Sequence, residues 1–308
     1  MVGILEFPQS ILCKKDVLGQ RFNAKIDGIP IELLFPIIPD NIQVEPFEFY
    51  NNSLHAPMFT KPVKFKKDLD WGYIAQYPKG NCCVKMIALS IDCSEEAKAV
   101  LAKKIYSEID NWKNSFLSYI IVSTKQHTER DKNRNWNSFG SLRLYDDGFV
   151  PQEQFPTIFV VIEDSDRFAS KDIVEQAIAF ASSGKELRLE YQMLLSAYEA
   201  RRSSQNRQAI IDASAAAELC LEHYIDQRIK SLNMKPKLFL DKFRSLGDRF
   251  DLVMQFDDTL PAVDYQSIIV KPRNDIAHNR DAYPSDETTD QLISCVETCL
   301  EHFHSTYY

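Results

Sequence analysis

The sequence predicts an α+β chain, an N-terminal mixed-sheet domain followed by an all-helical bundle, and three observations carry that expectation. Short apolar runs of strand length crowd the first 165 or so residues, helical periodicity continues almost unbroken from about Ser170, and 308 residues suffice for two domains. The expected division is a β-rich unit over 1–165 and a helical unit over 170–308.

In the front half, Arg21 to Phe35 holds two apolar runs joined by Asp27-Gly28, the dipeptide of a tight hairpin turn. Further strands are expected at Cys82 to Ile91, Ser118 to Val122, Leu142 to Tyr145 and Thr157 to Ile162. Between the first two of these, Ser94 opens a helical stretch. Glu95 and Glu96 load its first turn, and Ala97, Leu101, Ile105, Ile109 and Trp112 recur at helical intervals.

In the back half, Ser170 caps a helix over Lys171 to Ala181, Gly184 interrupts it, and Lys185 to Arg202 continues. A long amphipathic segment from Gln205 to Ile229 follows, its stripe rich in alanine, which fits a central helix packed on several neighbours. Further helices are expected at Lys235 to Leu246, around Pro272 to Asp281, and from Asp286 to His304 behind a Ser285 cap.

Composition narrows the function. There are 36 Lys and Arg against 44 Asp and Glu, a formal charge of −8, which argues against unspecific coating of nucleic acid or anionic lipid and leaves room for a local basic site. No apolar run reaches the roughly 18 residues of a membrane span, and Met1 to Phe7 lacks a basic leader, so a soluble, cytoplasmic chain without a membrane partner is expected. The seven cysteines form no pair of metal knuckles and read as reduced core thiols. His302 and His304 lie two residues apart on a helix and point apart, so neither a metal site nor a cofactor is expected. Phosphate-loop, dinucleotide and nucleophile-elbow motifs are all lacking.

One constellation carries chemistry. Lys271-Pro272-Arg273-Asn274-Asp275-Ile276-Ala277-His278 sets an arginine and a histidine five positions apart, with an asparagine beside the arginine. Pro272 suits a first helical turn, and a helix beginning there would place Arg273 and Asn274 where free N–H groups favour an anion. Asn274 and His278, four apart, share a face. An imidazole can take a proton from a ribose 2′-OH or return one to the departing 5′-oxygen, while a guanidinium holds the non-bridging oxygens. A lone Arg and His on one helix is more often a solvated or salt-bridged face.

The segment from Lys185 to Phe303 resembles the HEPN superfamily, whose mark is an Arg, four to six residues, then a His, frequently with Asn directly after the Arg. Arg273 to His278 matches that mark, with one amphipathic helix following, and the alanine-rich stretch Arg207 to Leu221 looks like the family's central helix. The resemblance implies a homodimeric, metal-independent endoribonuclease in a defence, antiviral or toxin-like setting. Catalytically silent members that bind nucleotide or a regulatory protein are the alternative it leaves open. Toxin members paired with a nucleotidyltransferase often show Tyr two residues past the His, where this chain has Arg280.

By that resemblance Arg273 would bind phosphate, His278 would act as general acid or base, and Asn274 would orient one of them. Glu218, at the edge of the central helix, is expected either to pair with Arg273 or His278 or to sit as a polar residue at the core margin. Arg280 would support the site. For RNA capture, Arg201, Arg202 and Arg207 cluster around one turn, and Lys235, Lys237, Lys242, Arg244 and Arg249 are expected along one helix. Each cluster is more usually a solvated helix face. The polar stretch His127 to Asn137 is either a loop reaching RNA or an ordinary connection.

Overall fold

The computed structural model describes residues 1–38, 53–59, 69–74, 81–126, 142–145, 168–278, 283–303 and 307–308. The strand expected at Thr157 to Ile162, the loop from His127 to Asn137 and Arg280 lie outside these. The chain is α+β and separates into two compact units, Met1–Lys185 and Glu186–Tyr308. The dividing point falls beyond the helix that Ser170 opens, so that helix belongs with the sheet. The sequence division had grouped it with the helical half.

The first unit contains strands β1 (Val2–Lys14), β2 (Arg21–Ile26), β3 (Ile29–Leu34), β4 (Gly72–Ile74), β5 (Asn81–Ser90) and β6 (Leu142–Tyr145), with helices α1 (Lys98–Thr124) and α2 (Lys171–Ser183). The sheet order is β2-β3-β5-β1-β6, with β4 also against β5. Every ladder between these strands is antiparallel, and the parallel pairing is an isolated bridge, Cys13 with Ala169.

The β2–β3 hairpin turns as its dipeptide predicts, for Asp27 and Gly28 both have positive φ, 45° and 78°, the handedness that matches strand twist. Alternation buries Phe22, Ala24 and Ile26 on one face of β2. β5 is buried along almost its whole length, as a strand covered on both faces must be.

α1 is 27 residues long and absorbs Ser118 to Val122, the run expected to be a strand. Tyr119, Ile120, Ile121 and Val122 are all buried, and a helix segment enclosed on every side shows a continuous apolar run that periodicity cannot distinguish from a strand. Its ring ladder, Trp112 on Phe116 at 5.5 Å and Phe116 on Phe7 of β1 at 5.9 Å, fastens it to the sheet. α2 is capped by the Ser170 hydroxyl, which accepts from Ile173 N–H, and ends at Gly184 with φ 67°.

The second unit holds α3 (Leu189–Arg202), α4 (Asn206–Ser231), α5 (Pro236–Lys242), α6 (Leu246–Phe256), α7 (Lys271–Ala277) and α8 (Asp286–Phe303). α4 is the central helix, touching α3, α5, α6, α7 and α8. Its Ala209, Ala213, Ala216 and Ala217 are fully buried, and side chains this short let neighbouring backbones approach closely. The helix expected over Lys235 to Leu246 is shorter, and α6, which begins at its expected end, has no counterpart among the expected helices. α5 stops at Lys242, and Ser245 opens α6 with a reciprocal capping box to Asp248.

Candidate functional site

Arg273, Asn274 and His278 all fall on α7 or its C-terminal cap, but not at a helix start. A π-helical turn, Gln266–Val270, runs directly into α7, and Tyr265, Val270 and Lys271 all have helical dihedrals. The helical run begins at Asp264, whose side chain accepts from Ser267 N–H at 3.0 Å and whose carbonyl accepts from Ile268 N–H at 3.0 Å. Pro272 is therefore interior, and the expected anion site of free N–H groups at Arg273 and Asn274 is not there. The wide turn is the physical reason. A proline ring opposes the carbonyl four residues earlier, and a turn that bonds five residues back relieves the clash. Lys271 N–H duly donates to the Gln266 carbonyl.

On this helix the Arg273 and Asn274 side chains meet, while among the described residues no hydrogen bond joins either of them to the His278 ring. The Arg273 guanidinium donates from Nη1 to Asn274 Oδ1 at 3.1 Å. His278 caps α7, its N–H donating to the Asn274 carbonyl at 2.9 Å, and its residue is exposed while Arg273 and Asn274 are half-buried. Helix α7 ends at Ala277, and residues 279–281 of the expected helix lie outside the described residues. Ile276, buried, fastens the segment to the core, and α7 packs against α4. Among the described residues Arg273 makes no ion pair and the His278 ring has no hydrogen-bond partner.

The other expected site residues lie elsewhere. Among the described residues Glu218 makes no hydrogen bond or ion pair with Arg273 or His278. It accepts from Arg249 Nη1 at 3.0 Å, with Glu222 at 3.4 Å from the same nitrogen. Arg249, 9% exposed and also donating to the Phe243 carbonyl, departs from the basic helix face expected for it and is a nearly buried cation held by two carboxylates. Arg201 is likewise neutralised, with Nε 2.6 Å and Nη2 2.9 Å from the Asp290 carboxylate and Asp286 at 3.2 Å. Its geometry closes the α3–α4 turn onto α8 and leaves it unsuited to phosphate. Arg202 is exposed and Arg207 half-buried.

No protein-family model, curated protein or solved structure matches the chain. What the site can do therefore follows from its own geometry. Among the described residues no group of three or more His, Cys, Asp or Glu side chains could hold a metal ion. All seven cysteines are free. Burial pushes the thiols of Cys13, Cys82 and Cys220 well up, which makes them poor nucleophiles. No helix among the described residues is long and apolar enough to cross a membrane.

A second polar cluster carries no sequence signal. Asp257, at the end of α6, accepts from the Thr259 hydroxyl at 2.6 Å and its N–H at 3.0 Å, from Tyr224 OH at 3.2 Å, and meets His302 Nε2 at 3.0 Å. Hydrogen bonds from Thr259 and then His302 hold its carboxyl well below the usual carboxylate range. Residues from three helices converge here across gaps of 33 and 45 positions, a meeting that only the assembled bundle reveals.

Proposed function

We propose that the second unit is a metal-independent endoribonuclease of HEPN type, in which Arg273 and His278 are the catalytic pair. The observation that carries this reading is a contrast. Arg201 and Arg249 are neutralised by carboxylates, whereas Arg273 is held by the neutral Asn274 amide and makes no ion pair among the described residues, on a helix capped by the exposed His278. A half-buried guanidinium whose sole described partner is a neutral amide is disposed to receive an anion.

In this reading the 2′-oxygen of a ribose attacks the adjacent phosphorus while the 2′-OH proton passes to an imidazole. The O2′–P bond forms, the P–O5′ bond breaks, and a proton goes to the departing 5′-oxygen. The products are a 2′,3′-cyclic phosphate and a 5′-OH. Arg273 holds the non-bridging oxygens as their charge grows. One imidazole cannot serve both faces of an in-line displacement, so a homodimer brings a second His278 to the opposite side. Asn274 Oδ1 limits the swing of the guanidinium. A cytoplasmic defence or toxin-like setting belongs to the same proposal.

The test is single-stranded RNA incubated with purified protein in EDTA. The wild type cleaves; His278→Ala loses about 100-fold or more, the scale of general acid–base catalysis, and Arg273→Ala loses a comparable factor. Arg273→Lys does not restore the rate, since an ammonium cannot reproduce the planar fork. Cleavage that survives in His278→Ala removes the proposal. Binding of nucleotide or protein without any cleavage supports the silent-module alternative.

A further inference from the structure

We infer that Pro272, Gln266 and Gly247 together set the rotation of the Arg273–His278 segment, and so draw the Arg273 guanidinium toward the core. These are positioning residues. Their consequence for RNA rests on the nuclease reading, while their geometry stands independently of it.

The π turn is fixed at both ends. Before it, Tyr265 stacks on Phe250 of α6 at 4.6 Å and 9° and donates its hydroxyl to the Pro261 carbonyl at 2.9 Å. After it, the Pro272 ring would clash with the carbonyl four residues back in an uninterrupted α register, a clash the wide turn relieves. Inside it, the Gln266 side chain reaches across to α6, where Nε2 donates to the Gly247 carbonyl at 3.2 Å and to Asp251 Oδ1 at 3.1 Å. Gly247 makes room for that amide. A Cβ there would lie 3.0 Å from Gln266 Oε1 and 3.2 Å from Nε2, tight enough that the amide must shift by a few tenths of an ångström.

A π turn takes up one residue more than an α turn, so everything after it is set back by about 100°. Counted from Tyr265 along an uninterrupted helix, Arg273 would lie about 80° past the Tyr265 line; with the extra residue absorbed it falls about 20° short of it. Tyr265 is 2% exposed and marks the core-facing line. The wide turn thus places Arg273 on the inward side, in keeping with its half-buried state, and leaves His278 outward at the cap.

The experiment compares wild type, Pro272→Ala, Gly247→Ala and the double variant by crystallography and by RNA cleavage in EDTA. Alanine is the better helix former at both positions, so loss of helix does not confound the result. In the double variant Lys271 N–H is expected on the Ser267 carbonyl, Arg273 turned outward by about 100°, and the KM for RNA raised about tenfold, as for one lost charge-assisted hydrogen bond, with the pH profile of kcat unchanged. A double variant that keeps the wide turn with Arg273 in place overturns the inference. So does one in which Arg273 turns while the KM stays put. If the wild type cuts no RNA, the nuclease reading falls, and the crystal structures alone decide whether these residues set the rotation.

Discussion

Asp257 illustrates how much a single carboxylate can organise. It joins the end of α6 to Tyr224 of α4 and His302 of α8, and its bonds from Thr259 and His302 favour the ionised form. A carboxyl held below its unfolded value stabilises the fold at every pH above the ordinary carboxylate range, and that contribution fades as pH falls through and below about 4. Urea denaturation at pH 3, 4 and 7 is expected to show a steep loss of stability at the acid end in the wild type. In Asp257→Asn the loss is shallower, because the group that titrates is gone. An unchanged acid limb in the variant would contradict this assignment. At the same scale, Glu218 shows that sequence proximity to a motif is a poor guide to partnership. Its position on the edge of α4 was legible, but Arg249 arrives from α6, a helix whose start is defined by Ser245 and not by any apolar stripe visible beforehand.

Among the elements, those with strong local chemistry were readable in advance. Asp27-Gly28 specifies its turn, Ser170 and Ser285 specify helix starts, and the alanine stripe of α4 specifies a helix surrounded by others. The misreadings have physical causes. Ser118–Val122 is apolar on all sides because α1 is enclosed there, and Pro272 carries the same residue signature at a helix start as at a wide turn inside a helix. The early end of α5 and the whole of α6 were missed because the signal is a capping box of two residues, Ser245 and Asp248, inside a stretch of good helix formers. That box predicts its own test. Ser245→Ala removes the acceptor for Asp248 N–H and should cost about 1 kcal/mol in chemical denaturation, with the denaturant slope unchanged. A cost near zero would mean that tertiary packing, not the cap, sets the start of α6.

For the whole molecule, charge and architecture point to a site of small reach. From Lys185 onward there are fifteen Lys or Arg and twenty Asp or Glu, a net of −5, so long-range capture of a polyanion is disfavoured. Pairing of Arg201 and Arg249 with carboxylates removes two of the cations that composition alone seemed to offer. In the proposed nuclease reading, Arg273 and His278 suit a single phosphodiester in an exposed loop better than a duplex. The motif residues themselves were legible from their spacing; their setting behind a wide turn was not, because it depends on contacts with α6. The measurement that reaches this account most directly is mass spectrometry of the ends produced when single-stranded RNA is incubated with the protein in EDTA. The account predicts 2′,3′-cyclic phosphate and 5′-hydroxyl ends that disappear in His278→Ala; 3′-hydroxyl ends, or identical ends from the variant, would contradict it.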